Sequence, residues 1–154
     1  MGQDLIQLKK AVHLECQQII SEKILSLQST LKGYQDAANQ ETKSSAGDKY
    51  ETGRAMMHLE KEKIAGQLDQ ALKQQRVISQ LNPEKHQKEV QLGSVLKSNR
   101  GIFYISVSLG LIQIGKDKVM CISPVAPLGK MFLGAKAGNK IQFNNMTYEV
   151  AEVN

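Results

Sequence analysis

Two long stripes of apolar residues, uninterrupted by proline before Pro83, constrain the fold of this chain more than any other feature. From Leu5 to Ala38, apolar residues recur every three or four positions, which is the spacing of one helical face. A second stripe of similar spacing contains Met57, Ile64, Leu68, Ala71 and Ile78. The spacing predicts one helix from about Leu5 to about Gln40 and another from about Lys49 to Leu81.

The segment between the two stripes, residues 42–48, is small, polar and contains Gly47, which favours a loop. The second helix should stop at Asn82, because a residue before proline avoids the α region. Each stripe is too narrow to cover a globular core, so each helix needs a partner. The short loop favours an antiparallel hairpin within one chain, spanning residues 1–81 with its tip near 44–52, and a monomer. A dimeric coiled coil is the alternative.

After Pro83 the pattern changes to short β-rich runs. Residues 82–89 are polar and are predicted to be a linker, followed by a second domain at 90–154. Strand-like runs cover residues 90–96, 101–107, 119–122, 141–143 and 146–150, and Asn144-Asn145 is a hairpin turn pair. Pro127 can begin a short helix and Gly134 can end it. The predicted class is α+β: an antiparallel coiled-coil hairpin followed by a small antiparallel sheet domain with one short helix.

The charge and the cysteine content indicate the cellular compartment of the protein more clearly than they indicate its chemical activity. The net charge is +5, and most of the basic excess lies in the second half, a weak indication of an acidic partner or nucleic acid. Cys16 and Cys121 are far apart and form no CxxC motif, which fits a reducing cytosol. No stretch approaches the roughly 20 apolar residues of a membrane span. We therefore expect a cytoplasmic protein without a membrane partner.

Signs of an independent enzyme are poor. The sequence has no GxSxG, P-loop or paired GxGxxG motif. His13 and Cys16 lie one helical turn apart and could form half of a metal site. No second half is visible, and Cys16 also fits the apolar stripe, so packing is the favoured interpretation.

The predicted hairpin tip carries the most interesting chemistry. Asp48 and Glu51 are three residues apart and could share one divalent cation, since Mg²⁺ is commonly held by only one or two protein carboxylates. Asp48 is also a good N-cap, and Glu51 occupies the N3 position of a capping box. Spacing alone favours the cap, and both roles are compatible.

Several of these motifs together resemble the Gre transcript-cleavage factors of bacterial RNA polymerase. The run from Ile122 to Ile141, which includes Pro127-Leu128-Gly129 and Leu133-Gly134, is similar to a run in the family's second domain. Residues 90–95 and 148–153 resemble that domain's first and last strands. At the tip, Gly47-Asp48-Lys49-Tyr50-Glu51 keeps the family's Gly-Asp-x-x-Glu spacing.

The resemblance implies a function that composition and spacing do not. It implies an FKBP-like second domain, RNA polymerase as the partner, and a hairpin tip that enters the secondary channel. Asp48 and Glu51 would be the catalytic pair, helping to hold a Mg²⁺ ion of the polymerase active site while backtracked RNA is cleaved near the nascent 3′ end. The chain would need no cofactor of its own. Partner contacts are expected from Tyr50, Arg54, Pro127, Leu128, Met131 and Phe132.

Departures from the family pattern leave two alternatives open. Thr52, Gly53 and Arg54 replace the family's Asn and Glu-Tyr, Tyr50 stands where a Lys is common, and Asn139 replaces an Asp. These differences favour a non-cleaving regulator of the channel as the second hypothesis. A structural coiled-coil adaptor with a merely capped tip is the third. The aromatic side chains are more simply core residues than an isomerase pocket: Phe103, Tyr104, Phe132, Phe143 and Tyr148.

Overall fold

Two long helices open the chain. The computed structural model describes the backbone of residues 2–41 and 47–154 and the side chains of residues 5–39 and 52–154. Helix α1 spans Gly2–Glu41 and helix α2 spans Gly47–Gln80. At 1.5 Å per residue they are about 60 Å and 50 Å long. They form the predicted hairpin, and both boundaries lie within a few residues of those expected.

By its contacts the chain divides into two compact units. One comprises residues 18–76, and the other comprises residues 1–17 together with 77–154. Within the first unit, the apolar stripes are the protected faces of the two helices. Ile20, Ile24 and Ala71 are buried there, and the Lys61 Nζ donates a hydrogen bond to Gln35 Oε1 across the helix pair. No helix in the described part of the chain combines the length and hydropathy needed to cross a membrane.

The second unit contains a six-stranded sheet made of β1 (Val95–Ser98), β2 (Gly101–Ile105), β3 (Gly110–Ile114), β4 (Asp117–Ile122), β5 (Lys140–Phe143) and β6 (Met146–Val153). The strand order is β3-β4-β2-β1-β6-β5. Neighbouring strands are antiparallel except β2 and β4, which are parallel. A short helix, α3, spans Pro127–Phe132. The α+β class is therefore confirmed, with one parallel pair that the sequence did not predict.

The expected β-strand over residues 90–96 is mostly wrong. β1 begins only at Val95, and the preceding residues form a turn in which the Ser94 hydroxyl accepts a hydrogen bond from Gln91 N–H. Strand β3 lies in a segment for which the sequence analysis predicted no strand. The Asn144-Asn145 turn is confirmed: both residues have positive φ, 50° and 62°, as a two-residue type I′ hairpin requires.

The core of the sheet unit lies between the sheet and α3. Phe132 is fully buried, with its ring 4.9 Å from that of Phe103 and 5.5 Å from that of Tyr148. The predicted core role is confirmed for these three aromatics and for Tyr104. Phe143 is half-buried and packs against the same cluster.

Candidate functional site

The acidic pair lies at the start of α2. Because α2 begins at Gly47, the backbone of Asp48 and Glu51 belongs to its first turn, next to the connection from α1. Residues 42–46 and the side chains of Asp48, Tyr50 and Glu51 lie outside the described residues. Their roles as caps, metal ligands or partner contacts therefore stay predictions. Arg54, one turn further on, is exposed.

The described side chains supply no metal site of their own. They contain no group of three or more His, Cys, Asp or Glu residues that could hold a metal ion. In the His13–Cys16 pair, His13 Nδ1 lies 2.8 Å from the Tyr104 hydroxyl and Cys16 Sγ lies 3.6 Å from Cys121 Sγ. At the tip, the donor set of two carboxylates suits Mg²⁺ chemically, provided that water or another molecule supplies the remaining ligands.

The four partner contacts expected at α3 differ in how far their side chains are exposed. Pro127 is exposed, Leu128 is half-buried, and the Met131 side chain is 47% exposed. Phe132 is 0% exposed, so the expectation of a partner contact there is corrected: its ring is committed to the core. Sequence reasoning overlooked two exposed apolar neighbours, Val125 and Leu133.

A glycine positions α3 against the preceding turn. A Cβ at Gly129 would lie 2.0 Å from the Ser123 carbonyl oxygen. The same oxygen accepts a hydrogen bond from Ala126 N–H, which precedes the helix. Part of the run that resembles the Gre family is thus a packing motif that sets where the Met131 surface lies.

The first turns of α1 carry a buried face on which sequence reasoning expected Cys16 but missed Lys9 and His13. Lys9, His13 and Cys16 follow the i, i+4, i+7 spacing of one helical face and are all buried. The Lys9 ammonium donates to the Lys85 carbonyl at 2.6 Å. This bond ties α1 to the predicted linker at 82–89, which is otherwise largely exposed apart from buried Gln87.

Burial sets the electrostatics of this face. Desolvation, with a contribution from the charge of Lys85, lowers the pKa of Lys9 to about 8. Desolvation and the charge of Lys9 lower the pKa of His13, which therefore favours the neutral ring. A hydrogen bond with Cys16, reinforced by burial, raises the pKa of Cys121, and desolvation raises that of Tyr104. The Cys121 thiol and the Tyr104 phenol therefore favour their protonated forms.

Comparison with known proteins gives little beyond this geometry. No protein-family model and no curated protein matches the chain significantly. Among solved structures, the chain is similar to one described as the structure of the transcription factor Gfh1. The identity is 19%, the match covers 89% of this chain and 92% of that chain, and the TM-score is 0.35. Likeness at this level does not establish membership of a family.

Proposed function

We propose that this chain is a Gre-like factor that binds RNA polymerase and inserts its hairpin tip into the secondary channel. One observation carries the proposal: the chain forms a long helical hairpin, and the Gly47-Asp48-x-x-Glu51 motif lies at the start of its second helix. A helix pair of this length can place two carboxylates deep inside a partner. The sheet domain is proposed to be of the FKBP-like type.

At the tip, Asp48 and Glu51 would help to hold a Mg²⁺ ion of the polymerase active site. The ion would make a water nucleophilic and neutralise charge at the phosphate. The role of the two carboxylates is to present anionic oxygen ligands at the end of a stiff support. A neutral amide replaces such a ligand poorly, although it serves about as well in a helix cap.

One departure from the family pattern has a structural explanation. Asn139 Oδ1 accepts a hydrogen bond from Lys136 N–H at 2.9 Å, within a turn where Gly138 has a φ of +92°. A carboxylate oxygen at the same place could accept the same bond. The replacement of Asp by Asn therefore concerns only a local turn, and it is no argument against the cleavage hypothesis.

The second candidate is a non-cleaving regulator of the same channel. The residues that follow Glu51 favour this candidate. Thr52, Gly53 and Arg54 stand where the Gre family has an Asn and a Glu-Tyr pair. Arg54 is exposed and adds a cation beside the acidic pair in sequence. A cation near the tip would compete with a metal ion for the carboxylates.

The exposed apolar side chains at α3 are the proposed docking surface. Met131 and Leu133, 47% and 44% exposed, lie there with exposed Pro127 and half-buried Leu128. Apolar side chains on such a surface are well suited to a protein partner. Met131→Ser should weaken capture of polymerase while leaving the fold intact, because this side chain contributes little to the core.

An RNA-cleavage assay on stalled polymerase complexes separates these functions. The Asp48→Asn, Glu51→Gln double variant should bind polymerase like the unmodified chain, unfold at nearly the same temperature and lose transcript cleavage. Glu60→Gln, an exposed carboxylate further along α2, is the matched control and should retain cleavage.

The other outcomes identify the alternatives. Full cleavage by the double variant would refute the metal role. Binding without cleavage by the unmodified chain would establish the non-cleaving regulator. Failure of the unmodified chain to capture polymerase would leave the structural adaptor.

A further inference from the structure

Two buried thiols meet where α1 packs on the sheet. Cys16 and Cys121 are both free cysteines, 0% and 1% exposed. Their sulfur atoms are 3.6 Å apart, although the residues are separated by 105 positions in sequence. The fold alone therefore creates this pair.

Both cysteines are held by regular elements of the same compact unit. Cys16 lies on the buried face of α1, one turn after Val12. Cys121 lies in β4, an interior strand of the sheet, and pairs with Tyr104 of β2 on one side and Gly110 of β3 on the other. Groups held in contact in this way react as an intramolecular pair with a very high effective concentration.

We propose that Cys16 and Cys121 form a dithiol–disulfide pair, an oxidation site that covalently joins α1 to β4. The oxidant is a small-molecule disulfide. One cysteine thiolate attacks a sulfur of that disulfide, forming a mixed disulfide and releasing one thiol. The second thiolate attacks the protein sulfur of the mixed disulfide, forms the Cys16–Cys121 bond and releases the second thiol. Two protons and two electrons leave the protein, and one small disulfide becomes two thiols.

Burial makes this oxidation slow in the closed fold. Exchange requires a thiolate and access to it, and neither sulfur is exposed. The hydrogen bond with Cys16, together with burial, also raises the pKa of Cys121, which disfavours the reactive thiolate. Reaction therefore proceeds through transient separation of the α1 end from the sheet. The disulfide, once formed and closed, is shielded from reductants by the same packing.

The disulfide should stabilise the sheet unit. It closes a long loop in the unfolded chain, and such constraints favour the folded state when the native geometry accommodates the bond. This inference does not depend on polymerase, since it concerns only the docking of α1 on the sheet.

The test is oxidation of the full chain with oxidised glutathione, in buffer and in urea below the unfolding transition. Remaining thiols are then alkylated with iodoacetamide under denaturing conditions, and the protein is weighed and digested. We expect a monomer that has lost two hydrogens, carries no alkyl group and yields a crosslinked peptide pair containing Cys16 and Cys121. The Cys16–Cys121 disulfide should form faster in urea than in buffer. The oxidised protein should unfold at a higher urea concentration than the reduced protein. Cys16→Ala is the control and should show no such shift.

Three results would overturn the proposal. The first is two free thiols after oxidation in both arms. The second is glutathione adducts or disulfide-linked dimers in place of the internal bond. The third is an oxidised protein that unfolds at a lower urea concentration, which would show that the fold does not accommodate the disulfide.

Discussion

Gly129→Ala is the sharpest test of how the α3 surface is built. The added Cβ would lie 2.0 Å from the Ser123 carbonyl oxygen, 3.0 Å from its carbon and 3.3 Å from Pro124 Cα. Ordinary contact begins at 3.4 Å, so the oxygen must retreat by about 1.4 Å (3.4 − 2.0). All three atoms are backbone atoms, which cannot move aside by rotating a side chain.

The expected change in the free energy of unfolding combines two destabilising effects and one stabilising effect. Overpacking of a tight site costs about 1–3 kcal/mol, and displacement of Ser123 weakens the hydrogen bond from Ala126, worth about 1 kcal/mol. Replacing glycine by alanine inside a helix stabilises the folded state by at most about 1 kcal/mol. We expect Gly129→Ala to lower the free energy of unfolding by about 1–3 kcal/mol.

Gly66→Ala provides the matched control. A Cβ at Gly66, inside α2, would meet nothing within 4 Å, so the substitution should stabilise the chain by up to about 1 kcal/mol. Urea unfolding followed by near-ultraviolet circular dichroism of the tyrosines measures the first variant, and far-ultraviolet circular dichroism measures the second. A neutral or stabilising Gly129→Ala would refute the packing argument.

Two further predictions concern the buried Lys9 and the α3 surface. Burial lowers the pKa of Lys9 to about 8, below its value of 10.5 in the unfolded chain, so the unfolded chain binds more protons between these values. The free energy of unfolding should therefore rise with pH from about 8 towards 10.5, by about 1–3 kcal/mol relative to Lys9→Met, measured by urea titrations across this range. Phe132→Ala should cost about 3–5 kcal/mol because it opens a cavity between two aromatic rings, whereas Met131→Ala should cost less than about 1 kcal/mol in a thermal melt.

Each of these predictions has a contrary outcome. The difference curve between the unmodified chain and Lys9→Met cancels the titration of groups common to both, so a flat difference would show that Lys9 is solvated. Equal losses for Phe132→Ala and Met131→Ala would contradict the division of α3 into a buried and an exposed side.

Local patterns in the sequence determined most of the secondary structure. The stripe from Leu5 to Ala38 repeats every three or four residues, and this spacing has only one physical solution, a helix with one protected face. The end of α2 follows from equally local chemistry, because Asn82, the residue before Pro83, avoids the α region. Asn144-Asn145 specified its turn because few residues tolerate two successive positive φ values.

The tertiary structure alone decided which strands became neighbours and which polar groups became buried. The hairpin formed by β3 and β4 places β4 beside β2 in parallel, and no local sequence pattern predicts this pairing. Lys9 and His13 carry no local sign of burial, because their side chains are protected by segments more than 70 positions away. Cys16 and Cys121 became a pair for the same reason. Burial and pairing are properties of contacts between distant segments, whereas periodicity reports only the face that one segment turns inward.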